Sequence, residues 1–183
     1  MSGTTSLVAL GSLWIGTLMF LVVLNEISKQ MNLEPIDVIL ERTGESTLEH
    51  IAKYTEESRQ MYLYHLTIDS LFPPLYGYTI YSSIYYLKGH VPTFVTRCVA
   101  LGCLADIVEN CSLLYLISLF PESDNVAAEI SIPATRVKFG ALAIGLGAVY
   151  WYTGVLIYQI IFDRESMIPQ PASSQAGAEK KDE

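Results

Sequence analysis

Charge is scarce in this sequence, and basic charge is the scarcest. Only 16% of the 183 residues are charged, and 19 acids against 11 bases leave a net charge of −8. An ordinary soluble domain carries about 25% charged residues. The basic deficit excludes a nucleic-acid partner, whose phosphates need a cationic face. It equally excludes a polybasic lipid-surface binder. Cysteine is also thin. Cys98, Cys103 and Cys111 are odd in number and form no CxxC pair, so no disulfide framework can be drawn. They read as small packing residues. His50, His65 and His90 are isolated, and neither a GxSxG elbow nor an HExxH pair occurs. No catalytic residue, metal ligand or cofactor is therefore assigned. Bound lipid is the one small molecule this composition invites.

What the chain does have is apolar length. Residues 6–24 carry no charge, close to the roughly 20 needed to span hydrocarbon as a helix. No basic residue precedes them and no small-x-small site follows, so a retained span is expected rather than a cleaved signal peptide. Further crossings are expected at 61–87, 98–120 and 139–162. The fold class is then all-α, an integral membrane four-helix bundle over residues 1–163. Localisation is a membrane, with multiple passes. The 164–183 tail, rich in Pro, Ser, Ala and Gln, is expected to be disordered or extended. Counting Lys and Arg on the two sides of the expected spans gives five against six, so the positive-inside rule sets no orientation.

Between crossings one and two, residues 25–60 are polar. Pro35 suits a first helical turn, Gly44 a stop, and Ser46 with Glu49 a capping box. A connector of two short amphipathic helices outside the core is expected, the second leading into crossing two. Small residues suggest where helices meet. Ser12 with Gly16, Ala141 with Gly145, and Ala143 with Gly147 are small-xxx-small pairs.

Crossings two and three carry acids. A charge near the bilayer centre costs about 2.5–3.5 kcal/mol on insertion scales. By helix rise, Asp69 lies about 12 Å inside one surface, and Asp106 and Glu109 lie about 12 and 16 Å inside the other. In a core of about 30 Å these depths meet. Asp106 and Asn110, four apart, share a face, and Glu109 flanks it. Pro73 and Pro74 free the carbonyls of Asp69 and Ser70 and mark a kink. His65, Tyr76 and Tyr150 join Asp69, Asp106, Glu109 and Asn110 as a candidate polar network, proton site or ion site. Three close acids are not expected all to be ionised together, and at least one is expected to be protonated at neutral pH, because burial and like charge both raise a carboxyl pKa. A metal at His65, Asp69, Asp106 and Glu109 is not assigned, because the Glu-x-x-His repeat of two-helix carboxylate sites is missing.

The stretch Asp69-Ser70-Leu71-Phe72-Pro73-Pro74-Leu75-Tyr76, followed by Leu104-Ala105-Asp106-Ile107-Val108-Glu109-Asn110, resembles a group of small uncharacterised four-span membrane proteins. The resemblance covers roughly crossings two and three. It implies architecture only and brings no catalytic residue with it.

Three functional classes follow. The first is a non-enzymatic scaffold or accessory subunit, with membrane lipids and other membrane subunits, or a second copy of itself, as partners. The second is a proton- or cation-coupled transport component. The third is a lipid-modifying membrane enzyme using paired acids. Neutral isosteres separate them: a scaffold keeps its partners, whereas ion coupling or turnover is lost.

Overall fold

The computed structural model describes residues 3–162, and the 164–183 tail lies outside the described residues. The chain is all-helical, with 84% of these residues in helices and no strand among them. Six α-helices follow in order: α1 (Gly3–Ser28), α2 (Gly44–Lys53), α3 (Glu56–Asp69), α4 (Phe72–Lys88), α5 (Thr93–Leu119) and α6 (Asn125–Phe162). Three segments are long and apolar enough to cross a membrane, namely Leu7–Ser28, Thr93–Leu119 and Asn125–Phe162.

The expected single crossing at 61–87 is instead two helices. Pro73 and Pro74 occupy the first turn of α4, where a missing N–H costs nothing. The chain breaks at Ser70-Leu71 rather than bending around an interior proline. Gly89, at φ 79°, closes α4 in the left-handed conformation that an L side chain resists. Crossing four also begins earlier than expected, since α6 runs unbroken through Pro133 from Asn125.

The connector departs further from expectation. Its first segment is one 3₁₀ turn, Ile36–Val38, not a helix. The Tyr62 hydroxyl takes the N–H groups of Ile36 and Asp37 at 3.1 and 3.2 Å, and Arg42 donates to the Ile36 carbonyl. Those bonds use the backbone groups a helix would need. The second helix is capped three residues before the expected cap. Thr43 is the N-cap, its backbone N–H donating to Ser46 Oγ at 2.8 Å and its hydroxyl accepting from Ser46 N at 3.1 Å. Gly44 is thus the first helical residue instead of a stop, and its N–H meets Glu129 Oε1 at 3.1 Å. A second break at Tyr54, with Thr55 capping α3, separates the connector from the following helix. Nor is the connector a solvated strip: Ile36, Ile51 and Tyr54 are buried with Tyr62, Leu66, Leu113 and Leu116 in one apolar cluster.

A second apolar cluster, around Tyr76, Ile80, Ile84, Val95, Val99 and Val149, fills the other end of the bundle. There α1 lies antiparallel to α4. Trp14 donates to Ser83 at 3.0 Å, Thr17 meets Thr79 at 3.0 Å, and the Phe20 and Phe72 rings stack at 5.2 Å. α5 packs on α6 so closely that a Cβ on Gly102 would stand 2.7 Å from the Ala141 Cβ. Between the two apolar clusters lies a layer of buried polar side chains.

Candidate functional site

The polar layer is centred on Glu109, which is wholly buried. On α5, Asp106, Glu109 and Asn110 share one face by their i, i+3, i+4 spacing, and all are buried. On α6, Ser131, Thr135 and Lys138 repeat at i, i+4, i+7 and are likewise buried. The connector contributes Arg42, only 7% exposed in spite of its length.

Arg42 Nη2 lies 3.1 Å from Glu109 Oε1 and donates to Thr135 Oγ1 at 2.8 Å. Thr135 in turn donates to Glu109 Oε1. Lys138 Nζ stands 2.6 Å from Glu109 Oε2 and 3.2 Å from Asp106 Oδ1. The other Asp106 oxygen accepts from the Tyr76 hydroxyl at 3.1 Å. A carboxylate with no access to water is sustained only by such pairing. The crowding expected of three acids is therefore relieved by two buried cations, Arg42 and Lys138. Both look like flanking surface charge in the sequence.

The other side of the layer is less complete. Asp69 Oδ2 accepts from Asn110 Nδ2 at 2.9 Å, and Asp37 Oδ1 accepts from the Tyr62 hydroxyl at 2.8 Å. Among the described residues neither carboxylate has a cation within ion-pair distance. His65 is 4% exposed, and its Nδ1 has no hydrogen-bond partner. The same holds for Asn110 Oδ1. A cavity of about 310 Å³ opens here, walled by Asp37, His65, Asp69, Asp106 and Lys138 and by apolar residues of α1, α4 and α6. Nearby, Tyr54 donates to the Glu34 carbonyl at 2.7 Å. Burial and the Asp37 carboxylate push its phenol above the ordinary range.

The height of the layer also differs from expectation. Because Phe20 stacks on Phe72, the following turn of α1 reaches the level of Asp69, and Leu24, Asn25 and Ser28 line the same cavity. The uncharged run of α1 ends at Asn25-Glu26. Asp69 thus sits where that run stops, not halfway along it. The expectation of mid-depth rested on starting crossing two at Met61, which the break at Ser70-Leu71 removes.

Of the residues singled out in the sequence, His65, Asp69, Tyr76, Asp106, Glu109 and Asn110 come together in this layer. Tyr150 does not. It is 75% exposed, since α6 turns Gly145 and Val149 inward at that height. Ala141 and Gly145 lie at close helix contacts, with a Gly145 Cβ meeting Val99 at 3.0 Å. Ala143 is exposed, and nothing lies within 4 Å of a Cβ at Gly147 or Gly16. Ser12 is exposed and bonds only the Val8 carbonyl of its own helix, at 3.0 Å. Among the described residues nothing places those pairs against a neighbouring helix. Sequence reasoning missed Asp37, Arg42, Tyr62, Ser131, Thr135 and Lys138. The i, i+4, i+7 run on α6 was a readable signal. Arg42, reaching Glu109 across 67 positions, had none.

Among the described residues no three His, Cys, Asp or Glu side chains converge as a metal ion requires. The chain matches no protein-family model, no curated protein and no solved structure, so its site is read from its own chemistry.

Proposed function

We propose that the protein is an integral membrane scaffold or accessory subunit of a larger membrane assembly, a four-crossing bundle with no enzymatic role. The observation that carries this reading is how the Glu109 cluster uses its charges. Arg42 and Lys138 are committed to Glu109, Asp106 and Thr135, which ties the connector to α5 and α6. Groups held this way stabilise a shape and are not free for turnover. The fourth crossing is α4. Its 17 residues give about 25 Å of helix, and Asp69 and its neighbours at the connector side complete the span. α1 and the outer part of α6 leave Leu7, Val8, Ile15, Met19, Tyr158 and Phe162 exposed. In a bilayer these faces meet lipid, other subunits or a second copy of the chain.

Purification from native membranes in mild detergent tests the proposal. A stoichiometric set of other membrane proteins, retained by Asp69→Asn, is the expected result. The proton- or cation-coupled alternative is favoured by one observation, the uncompensated Asp37 and Asp69 at a cavity. A homo-oligomer with no other subunit, moving protons or cations into liposomes and losing that flux in Asp69→Asn, would replace the scaffold reading with it. Lipid turnover lost on the same substitution would instead point to a membrane enzyme.

A further inference from the structure

The cavity beside Asp69 does not stand alone. A second cavity of about 200 Å³ lies along α1, α4 and α6, and no charged side chain lines it. Its polar lining groups are already engaged: Trp14 donates to Ser83, Thr17 pairs with Thr79, and Tyr76 donates to Asp106. Leu21, Phe72, Tyr76 and Leu142 line both cavities. Tyr76 stands at the junction, its hydroxyl on Asp106 and its ring edge-on to Phe72 at 5.2 Å. Of these two neighbouring spaces, one is walled by acids and the other is apolar.

The charges at the polar end do not balance. Asp37, Asp69, Asp106 and Glu109 are four acids, whereas Arg42 and Lys138 are two bases, so the formal charge is −2. Both bases are held on the Glu109 side, and the surplus falls on Asp37 and Asp69. His65, 96% buried by its 4% exposure, lines the same cavity, and among the described residues its Nδ1 has no partner. A buried ring nitrogen without a partner marks a place where another polar group belongs.

We propose that this paired cavity binds a single-chain amphipathic amine, with its ammonium group beside Asp37 and Asp69 and its hydrocarbon chain between α1 and α4. A cation offsets the surplus charge, and an N–H donor suits both carboxylates. An anionic head would meet uncompensated acids, since Lys138 is already held by Glu109 and Asp106. The larger cavity, about 310 Å³, alone reaches the range of small-ligand sites, about 300–1,000 Å³. Such a site is independent of whether the protein has other subunits.

Trp14 lines the apolar cavity and reports its occupancy. Trp151 is exposed, so Trp151→Phe isolates the signal without touching the site. The full chain in detergent is titrated with a terminally brominated dodecylamine, and quenching of Trp14 fluorescence is read. Saturable quenching at one equivalent is expected, with the brominated alcohol and fatty acid of equal length at least about tenfold weaker. Asp69→Asn should weaken the amine about tenfold and leave the alcohol unchanged. Leu142→Phe, which fills the shared wall, should weaken the long amine but not the competing short amine. Equal quenching by amine, alcohol and acid would overturn the proposal. So would an unchanged amine affinity in Asp69→Asn, or a short soluble amine binding as tightly as the long one. Circular dichroism melting of each variant identifies any loss due to unfolding, and in that event the Leu142→Phe comparison decides.

Discussion

The two sides of the polar layer are built to different standards. Around Glu109 every oxygen has a cation or hydroxyl, and the groups come from the connector, α5 and α6. Around Asp69 one amide supplies one hydrogen bond, Asn110 Oδ1 and His65 Nδ1 have no partner, and a cavity adjoins. The first side resembles a clamp and the second a receptor. Both are acidic and both are buried, so burial and charge alone do not distinguish them. The placement of the cations does: Arg42 and Lys138 both stand on the Glu109 side, although Arg42 Nε has no partner among the described residues. The same difference predicts opposite responses to mutation.

The largest expected effect lies in the clamp. Arg42→Met should cost about 3–5 kcal/mol, because it leaves Glu109 with less counter-charge in a dry setting. Denaturant unfolding in detergent measures it. Replacing Arg42 and Glu109 together by apolar residues should recover most of that loss, since buried pairs often trade evenly against well-packed hydrophobic groups. A loss below about 1 kcal/mol in the single variant would mean that the connector is not held by this contact.

Next in size is Tyr62→Phe. The ring is fully buried, and its hydroxyl serves Ile36 N, Asp37 N and Asp37 Oδ1. Deleting it strands two buried donors and should cost about 1–3 kcal/mol. It should also loosen the 36–38 turn, read as faster amide hydrogen exchange there than in α5. Unchanged exchange would show that Arg42 alone fixes the turn.

These two residues also show what the sequence made legible. Apolar length identified α1 and the 139–162 part of α6, because a long uncharged run needs no partner to be recognised, whereas α5 was expected in spite of Asp106 and Glu109 within it. The i, i+3, i+4 spacing brought Asp106, Glu109 and Asn110 to one face for the same reason, being local. Crossing two reads in the sequence as one kinked helix because Pro73 and Pro74 are taken as interior prolines, whereas they begin a new helix after a break at Ser70-Leu71. Arg42, Asp37 and Tyr62 were invisible as a site because their contacts join segments far apart in the chain. Their types, a surface-like Arg and an interfacial Tyr, are ordinary for a polar connector. Lys138 was one position outside the expected crossing and so was counted as a flank. At Arg42, Asp37, Tyr62 and Lys138 a tertiary contact overrode a local preference, whereas the break before Pro73 is itself local.

A third prediction compares two small-residue pairs. Gly102→Ala places a methyl 2.7 Å from the Ala141 Cβ and should cost about 1–3 kcal/mol by forcing α5 from α6. Gly147→Ala meets nothing within 4 Å and should gain up to about 1 kcal/mol from helix propensity. If both behave alike, the close approach at Gly102 is not what holds the two helices.

The smallest effect is expected at Asp69, and its size is the point. An Asp69→Asn substitution keeps an acceptor for Asn110 Nδ2 and adds an N–H₂ donor beside an amide whose Oδ1 has no partner among the described residues. One bond is retained, one can be gained, and a carboxylate without a counter-ion is removed from a buried place. Stability should therefore stay within about 1 kcal/mol of the starting protein, with the change on the favourable side. Thermal melting of the paired variants Asp69→Asn and Arg42→Met in one detergent makes the contrast direct. A clamp loses several kcal/mol when a charge is removed, whereas a receptor gives up a charge at no cost to the fold and loses only what it binds. If Asp69→Asn proves as damaging as Arg42→Met, the layer is one continuous structural network, and the surplus charge at Asp37 and Asp69 belongs to the fold.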